Sequence, residues 1–181
     1  MTMRLEAYTI EGVRRGTVLT DGSLTELLET VDELLVTDGQ LTPLDGGPTI
    51  ADPNARFVLP IDELIVVAAP PGTLLPIHSA WHDVLLTAGL YQLAGQMPTM
   101  PGFDAARALA RPTGTFVLLA HATLSLTGRP EVGVIELPLA LVHRFVVERV
   151  QSDLELGFYF PGAGTVATQG VDGHLASGPA A

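Results

Sequence analysis

The sequence predicts a mainly β protein with short helices (α+β), built as two tandem small β-barrel-like units packed as a pseudo-dimer. Three observations lead to this prediction. Aliphatic stretches alternate with Gly and Pro turns, as strands do. Two segments of the chain resemble each other. Hydrophobic residues make up 47% and charged residues 16% of the 181 residues, which favours a packed core over a disordered chain.

The internal similarity joins residues 34–48 to residues 116–130. Both segments favour strands and end in a Gly/Pro turn. Internal repeats of this kind indicate duplicated supersecondary units. At an offset of 82 positions the matching residues are Leu44 and Leu126, Gly46 and Gly128, and Pro48 and Pro130.

A second similarity joins residues 57–64 to residues 135–142. Each is an aliphatic run with an internal Leu-Pro step, at Pro60 and at Pro138. Because proline cannot donate to a strand ladder, each proline predicts a break between two strands. Upstream, each copy is expected to begin with a strand region interrupted by glycine.

Each copy also carries a helix signal. Ser23 and Glu26 form a capping box, in which a serine caps the helix and a glutamate follows three residues later. Asp104 is the candidate N-cap of a second helix over residues 105–110. The apolar face of the first helix is predicted to consist of Leu24, Leu27, Leu28 and Val31.

One feature differs between the copies. Asp38 and Gly39, flanked by apolar residues, are a typical two-residue hairpin signal. Their counterparts at this offset, Ala120 and His121, are not. Either the turn chemistry diverged, or the first copy has a bulge where the second has a continuous strand.

Four segments are expected along the chain. A unit of about 65–70 residues is marginally stable alone, so the two units are expected to cover each other's surface and strand edges. The segments are an acidic β-rich first repeat (residues 1–70), a Pro-rich linker (71–79), a β-rich second repeat (80–160) and a flexible tail (161–181).

Charge and composition restrict the partners. The net charge is −11, and residues 1–70 carry twelve acidic residues and four Arg, for a net charge of −8. This repels phosphate backbones and anionic membranes, so neither nucleic acid nor membrane is an expected partner. With no Cys, no apolar run long enough to span a bilayer and no signal-peptide pattern, a cytoplasmic location is expected.

Residues 56–70 and 133–150 each contain strands joined across a tight turn, and in this they resemble small β-barrels of the Sm-like type. Residues 24–28 and 37–39, a Leu-rich short helix and a Thr-Asp turn, are similar to segments of uncharacterised bacterial β domains. Sm-like proteins usually bind RNA on a basic face. This chain is acidic and lacks Lys, so RNA binding is not carried over.

The leading functional hypothesis is a non-enzymatic interaction or scaffold module. Its acidic face would bind a protein partner with a basic surface, and a homo-oligomer is left open. The alternative reading of that face is a device for solubility. The residues of the face are Glu26, Glu29, Asp32 and Glu33.

A second hypothesis is a small-ligand-binding regulatory domain, with a pocket between the repeats near Trp81, His82 and Tyr91. Arg14 and Arg15, followed by the Asp-Gly-Ser segment at residues 21–23, suggest phosphate recognition of the kind that binds cyclic dinucleotides.

The third hypothesis is an enzyme of unfamiliar type. Its reagents would be His82, Asp83, His121 and His143, but the sequence contains no familiar catalytic motif. His78 and His82 are four residues apart, yet no helix is predicted around them, so no metal site and no cofactor is predicted.

Overall fold

A computed structural model describes residues 1–51, 56–70, 73, 80–99 and 114–167. The fold is mainly β, as predicted, and the described residues contain one α-helix. The twelve strands formed by these residues belong to a single sheet. For brevity, residues 1–70 are called the N-terminal half and residues 80–167 the C-terminal half.

In the part of the N-terminal half that the structure describes there are six strands, one α-helix and one 3₁₀ turn. In chain order they are β1 (Thr2–Tyr8), β2 (Gly12–Leu19), α1 (Leu24–Thr30), β3 (Glu33–Pro43), β4 (Ile50–Ala51), β5 (Arg56–Pro60), the 3₁₀ turn (Ile61–Glu63) and β6 (Val66–Ala68).

The C-terminal half contains six strands and one 3₁₀ turn among its described residues. In chain order they are β7 (Ala80–Ala88), β8 (Tyr91–Thr99), β9 (Phe116–Leu126), the 3₁₀ turn (Pro130–Val132), β10 (Ile135–His143), β11 (Arg149–Ser152) and β12 (Gly164–Ala167).

The strands follow the order β12-β11-β7-β8-β9-β10-β6-β1-β2-β3-β4, and β5 also pairs with β3. All pairings are antiparallel except that of β11 with β12. The two halves meet where β10 pairs with β6. Among the described strands this path is open, so the expected pseudo-dimer of two barrel-like units is not shown, although the mainly β class is confirmed.

Helix α1 begins as its capping signal predicts. The Ser23 hydroxyl accepts a hydrogen bond from the backbone N–H of Glu26 at 3.1 Å. Leu24 and Leu28 are buried on the inner face, four residues apart as a helix requires. The second predicted helix, residues 105–110, lies outside the described residues.

The Asp38-Gly39 step is a bulge within a continuous β3 rather than a hairpin turn. The register of β2 with β3 shifts there, and Asp38 has a φ of 54°. The C-terminal half has the same irregularity, because β8 and β9 shift register opposite His121, whose φ is 49°. The bulge expected as one alternative for the first copy is therefore confirmed, whereas the continuous strand expected in the second copy is wrong. Asp and His are both among the residues that tolerate this left-handed conformation.

Glycine lies across from each bulge because the partner backbone comes close. A Cβ on Gly16 would stand 2.3 Å from Cγ1 of Val36 and 2.7 Å from the carbonyl oxygen of Thr37. A Cβ on Gly95 would meet the carbonyl oxygen of Ala120 at 3.2 Å. The bulge at Asp38 therefore leaves no room for a side chain at Gly16, whereas a Cβ at Gly95 would make only tight contacts.

The two proline breaks have different outcomes. Pro60 ends β5 and leads into a 3₁₀ turn, as expected. Pro138 lies inside β10, which continues unbroken from Ile135–His143, so the second break is wrong. The pairing of β10 with β9 omits Pro138, whose neighbours pair with Ala120 and Ala122 on either side of the bulge. A residue without an N–H is tolerated at such an irregular position.

Both hydrophobic cores contain residues from both halves. The larger core belongs mostly to the C-terminal half but includes Tyr8, Val13, Ile65 and Val66, and the smaller one includes Phe116 and Leu141 from the other side. Burial of these apolar side chains joins the halves.

We expect Gly16→Ala to lower the free energy of unfolding by about 1–3 kcal/mol, because the new methyl group overlaps the backbone and Val36. Gly95→Ala is the matched control, since its Cβ would meet its neighbours at 3.2 Å and costs less. Urea denaturation of both variants measures the difference. Equal losses would show that the close approach at Gly16 does not limit stability.

Candidate interaction surface

The predicted acidic residues lie in helix α1 and in the segment that follows it. Glu26, Asp32 and Glu33 are exposed. Glu29 is exposed too, but its carboxylate accepts hydrogen bonds from the backbone N–H groups of Thr115 at 2.7 Å and Phe116 at 3.0 Å. It therefore caps the start of β9 and ties α1 to the other half.

Two further carboxylates join Asp32 and Glu33. Asp62 and Glu63 are exposed in the 3₁₀ turn that follows β5. That turn is fastened to the α1–β3 connection, because the Ile61 N–H donates to the Asp32 carbonyl at 2.9 Å. Strand pairing also places Glu33 opposite Pro60. We call Asp32, Glu33, Asp62 and Glu63 the acidic corner.

An exposed apolar row lies beside the acidic corner. Leu35 pairs directly with Val58 across β3 and β5, and the two residues are 56% and 51% exposed. Leu19 on β2 is 74% exposed, and the pairing of its neighbour Val18 with Val36 sets it next to Leu35. Alternation along β3 puts Leu35 on the same face as Glu33. The apolar row is Leu19, Leu35 and Val58.

His143 is buried close to this region, with 6% of its surface exposed. Its ring stands edge-on to Phe116 at 5.2 Å and to Phe145 at 6.0 Å. Burial lowers its pKa, while a backbone hydrogen bond and the charges of Asp62 and Glu29 oppose the shift. The imidazole is held neutral as an aromatic packing element.

The residues predicted to line a ligand pocket are not brought together. Trp81 and His82 lie near the start of β7, whereas Tyr91 pairs with Ala88 at the opposite end of the same hairpin. The Tyr91 hydroxyl donates to the carbonyl of Thr9 at 2.7 Å, inside the protein. Burial raises the pKa of Tyr91, so it stays a neutral donor that joins the two halves.

His82 has partners of its own. Its Nε2 lies 3.0 Å from the hydroxyl of Thr99, and its Nδ1 lies 3.7 Å from a carboxylate oxygen of Asp153. These contacts position the ring against its own hairpin and the segment after β11. His78, its predicted companion in the metal hypothesis, lies outside the described residues.

An open groove of 610 Å³ crosses β7, β8, β9 and β11. Its polar side chains are those of Asp83, Gln96, His121, Thr123 and Gln151. The amide of Gln96 donates to Asp83 at 3.1 Å. Of the four predicted reagents only Asp83 and His121 meet here. Within the described ranges no three His, Asp or Glu side chains are grouped to hold a metal ion.

The two adjacent arginines are each engaged by a carboxylate. Arg14 pairs with Glu11, and its guanidinium lies 5.2 Å from the ring centre of Phe57. Arg15 pairs with Glu6 at 2.7 Å. These ion pairs hold the arginines along the first hairpin instead of leaving them to clamp a phosphate.

No family model, curated protein or solved structure matches this chain. In the part of the chain that the structure describes, no helix has the length and apolar character that crossing a membrane requires.

We expect Glu29→Ala to lower the free energy of unfolding by about 1 kcal/mol, because two backbone N–H groups lose their charged acceptor. Glu33→Ala is the matched control, since Glu33 is also exposed and acidic, and we expect almost no change. Chemical denaturation of both variants tests this. Equal stability of the two variants would mean that the cap contributes nothing.

We expect His143 to make the protein less stable in acid. Its folded pKa lies below the usual 6.5, so the unfolded chain takes up the proton more readily. The stability contribution is therefore intact above pH 6.5 and declines as the pH falls from there toward the folded pKa. Denaturation midpoints of the natural protein and His143→Asn, measured on both sides of pH 6.5, test this. The variant should lose less stability on acidification, and equal losses would contradict the assignment.

Proposed function

We propose that this chain is a non-enzymatic protein-interaction module, in which two copies of one β unit form a single scaffold. The observation that carries the proposal is the acidic corner lying beside the exposed apolar row. A charged rim next to apolar side chains is the arrangement of many protein-binding surfaces. The expected partner is a protein segment that carries basic and apolar residues.

Matched hydrogen bonds support the idea of two copies. The Ile61 N–H donates to Asp32 in the N-terminal half, as the Arg144 N–H donates to Thr115 in the C-terminal half. The two donors are 83 residues apart in sequence, and so are the two acceptors. The same offset relates the bulge residue Asp38 to the bulge residue His121. The proposal takes only a β-barrel-like architecture from the resemblance to Sm-like proteins. It does not include their binding of RNA.

Charge supports the class of partner. The net charge of −11 and the lack of Lys oppose any polyanion and favour a basic surface. Electrostatic attraction at the acidic corner would speed the encounter, and the apolar row would then hold the complex. A cytoplasmic location belongs to the proposal, which the lack of Cys supports.

A second candidate function is the binding of a small polar ligand in the groove of Asp83, Gln96, His121 and Gln151. Its volume of 610 Å³ is within the ordinary range for ligand sites. This groove replaces the predicted pocket near Trp81 and Tyr91. Ligand binding that is lost in His121→Ala and retained when the acidic corner is reversed would favour this second function.

We expect reversal of all four acidic-corner residues to Lys to weaken partner capture by at least about tenfold, because the attraction becomes repulsion. The matched control reverses four exposed acids elsewhere and so makes the same change in net charge. Quantitative pull-downs from the native host compare both with the natural protein. The control substitutions are Asp21→Lys, Glu136→Lys, Glu148→Lys and Glu155→Lys.

Leu35→Asn tests the apolar row in the same assay, and capture should fall while the net charge stays constant. The proposal fails if the variant with the reversed acidic corner still captures every partner, or if the control variant loses the same partners. The acidic corner would then serve solubility.

A further inference from the structure

Strands β6 and β11 occupy matching places in the two halves. Strand β6 lies against β1, where the Ile65 N–H donates to the Tyr8 carbonyl at 2.9 Å. Strand β11 lies against β7, where the Glu148 N–H donates to the Thr87 carbonyl at 2.8 Å. Each of these two strands therefore has a second edge, away from β1 or β7, with which another strand can pair.

Those far edges have different occupants. On the first, the Ile65 carbonyl accepts from the His143 N–H of β10 at 3.0 Å. On the second, the Glu148 carbonyl accepts from the Gly164 N–H of β12 at 2.8 Å. Strand β12 thus sits on β11 where β10 sits on β6, but it runs parallel and has only four residues.

The strand equivalent to β10 in the N-terminal half is β5. The backbone bond that follows β10, from Arg144 to Thr115, has its counterpart after β5 in the bond from Ile61 to Asp32. The far edge of β10 carries β6. Among the described residues no strand pairs with the far edge of β5.

We propose that β12 is a built-in occupant of the β11 edge, which keeps that edge from pairing with β5 of a second copy. Displacing β12 opens a head-to-tail interface between chains that repeats the β10–β6 junction. The register transfers directly from that junction, whose pairs are Val142 with Val66, Leu141 with Val67 and Ala140 with Ala68. Between two copies the corresponding pairs are Leu59 with Arg149, Val58 with Val150 and Phe57 with Gln151.

Pro60 explains why the β11 edge pairs with β12 rather than with β5 of a second copy. It occupies the place of His143, which donates to the facing strand, and proline has no N–H to donate. A second copy would therefore leave the Glu148 carbonyl without its bond, whereas Gly164 satisfies it. The cap is still easily displaced, because residues 164–166 are exposed and bury little apolar surface.

This inference goes beyond the proposed function and does not use the acidic corner. Edge strands invite pairing with other chains, and proteins block them with prolines, short covering strands and charges. A head-to-tail contact closes into a ring or extends into a filament, depending on the rotation between copies. The occupant of the opened edge is a second copy of this chain.

The test compares two truncations by light scattering and sedimentation over a wide range of protein concentration. The chain ending at Ala167 retains β12 and should keep the mass of the full chain, one copy. The chain ending at Pro161 lacks β12 but retains the buried anchor Phe160. It should reach a mass of at least two copies as its concentration rises, with its folded circular dichroism spectrum intact.

Two substitutions in the shorter chain identify the edge. Val58→Pro removes the N–H that would face the second copy, and it should restore the single-chain mass. Pro60→Ala supplies the missing donor and should tighten association about fivefold, the worth of one hydrogen bond of about 1 kcal/mol.

Full-length Gly164→Pro provides an independent route if the shorter chain does not fold, because it removes the donor to Glu148 within the intact chain. It should associate as the truncation does. A folded chain that lacks β12 or carries Gly164→Pro and stays at single-chain mass overturns the proposal. Association that survives Val58→Pro, or a full chain already assembled through β5, overturns it as well.

Discussion

The pairing of β10 with β6 is the contact on which the other features depend. Strand β6 has only three residues, yet it lies between β1 of its own half and β10 of the other. Ile65 donates to Tyr8 and accepts from His143, so one short segment joins the strands of the two halves within the single sheet. Without β10, the apolar residues of β6 would lose the neighbours that bury them.

Around this junction the halves are fastened at two more points. The Glu29 carboxylate holds the start of β9, and the Tyr91 hydroxyl holds the Thr9 carbonyl. Each of these two hydrogen bonds joins groups more than 80 residues apart in sequence. Removal of either half would therefore leave polar groups of the other half without their partners. His143 packs at the same junction, and burial lowers the pKa of its imidazole.

The junction also determines which surfaces remain open. Strand β10 is covered by β6, whereas β5 lies at the border of the described sheet, with Val58 exposed beside Leu35. The turn after β5 brings Asp62 and Glu63 to Asp32 and adds carboxylates to the predicted acidic face. The proposed interaction surface and the proposed β5 edge both lie where the two halves differ in their strand pairing.

Local pattern was sufficient for some elements. Alternation of apolar residues, Gly/Pro turns and the Ser23 cap determined that the chain forms strands with one early helix, because these signals act within a few residues. The acidic excess of the N-terminal half, and with it the sign of the candidate surface, was likewise readable. The strand break predicted at Pro60 is confirmed, because β5 ends at that residue.

Other features depended on which strand lies opposite. Pro138 stays in its strand because it faces the bulge at His121, and Asp38 bulges because Gly16 lies across from it. Tyr91 became a link between halves, Glu29 a cap and Asp62 part of the surface through partners distant in sequence. Sequence alone determined the elements and their charge. Tertiary structure decided their roles, because a hydrogen bond or a packed side chain has its effect only where a distant partner is brought to it.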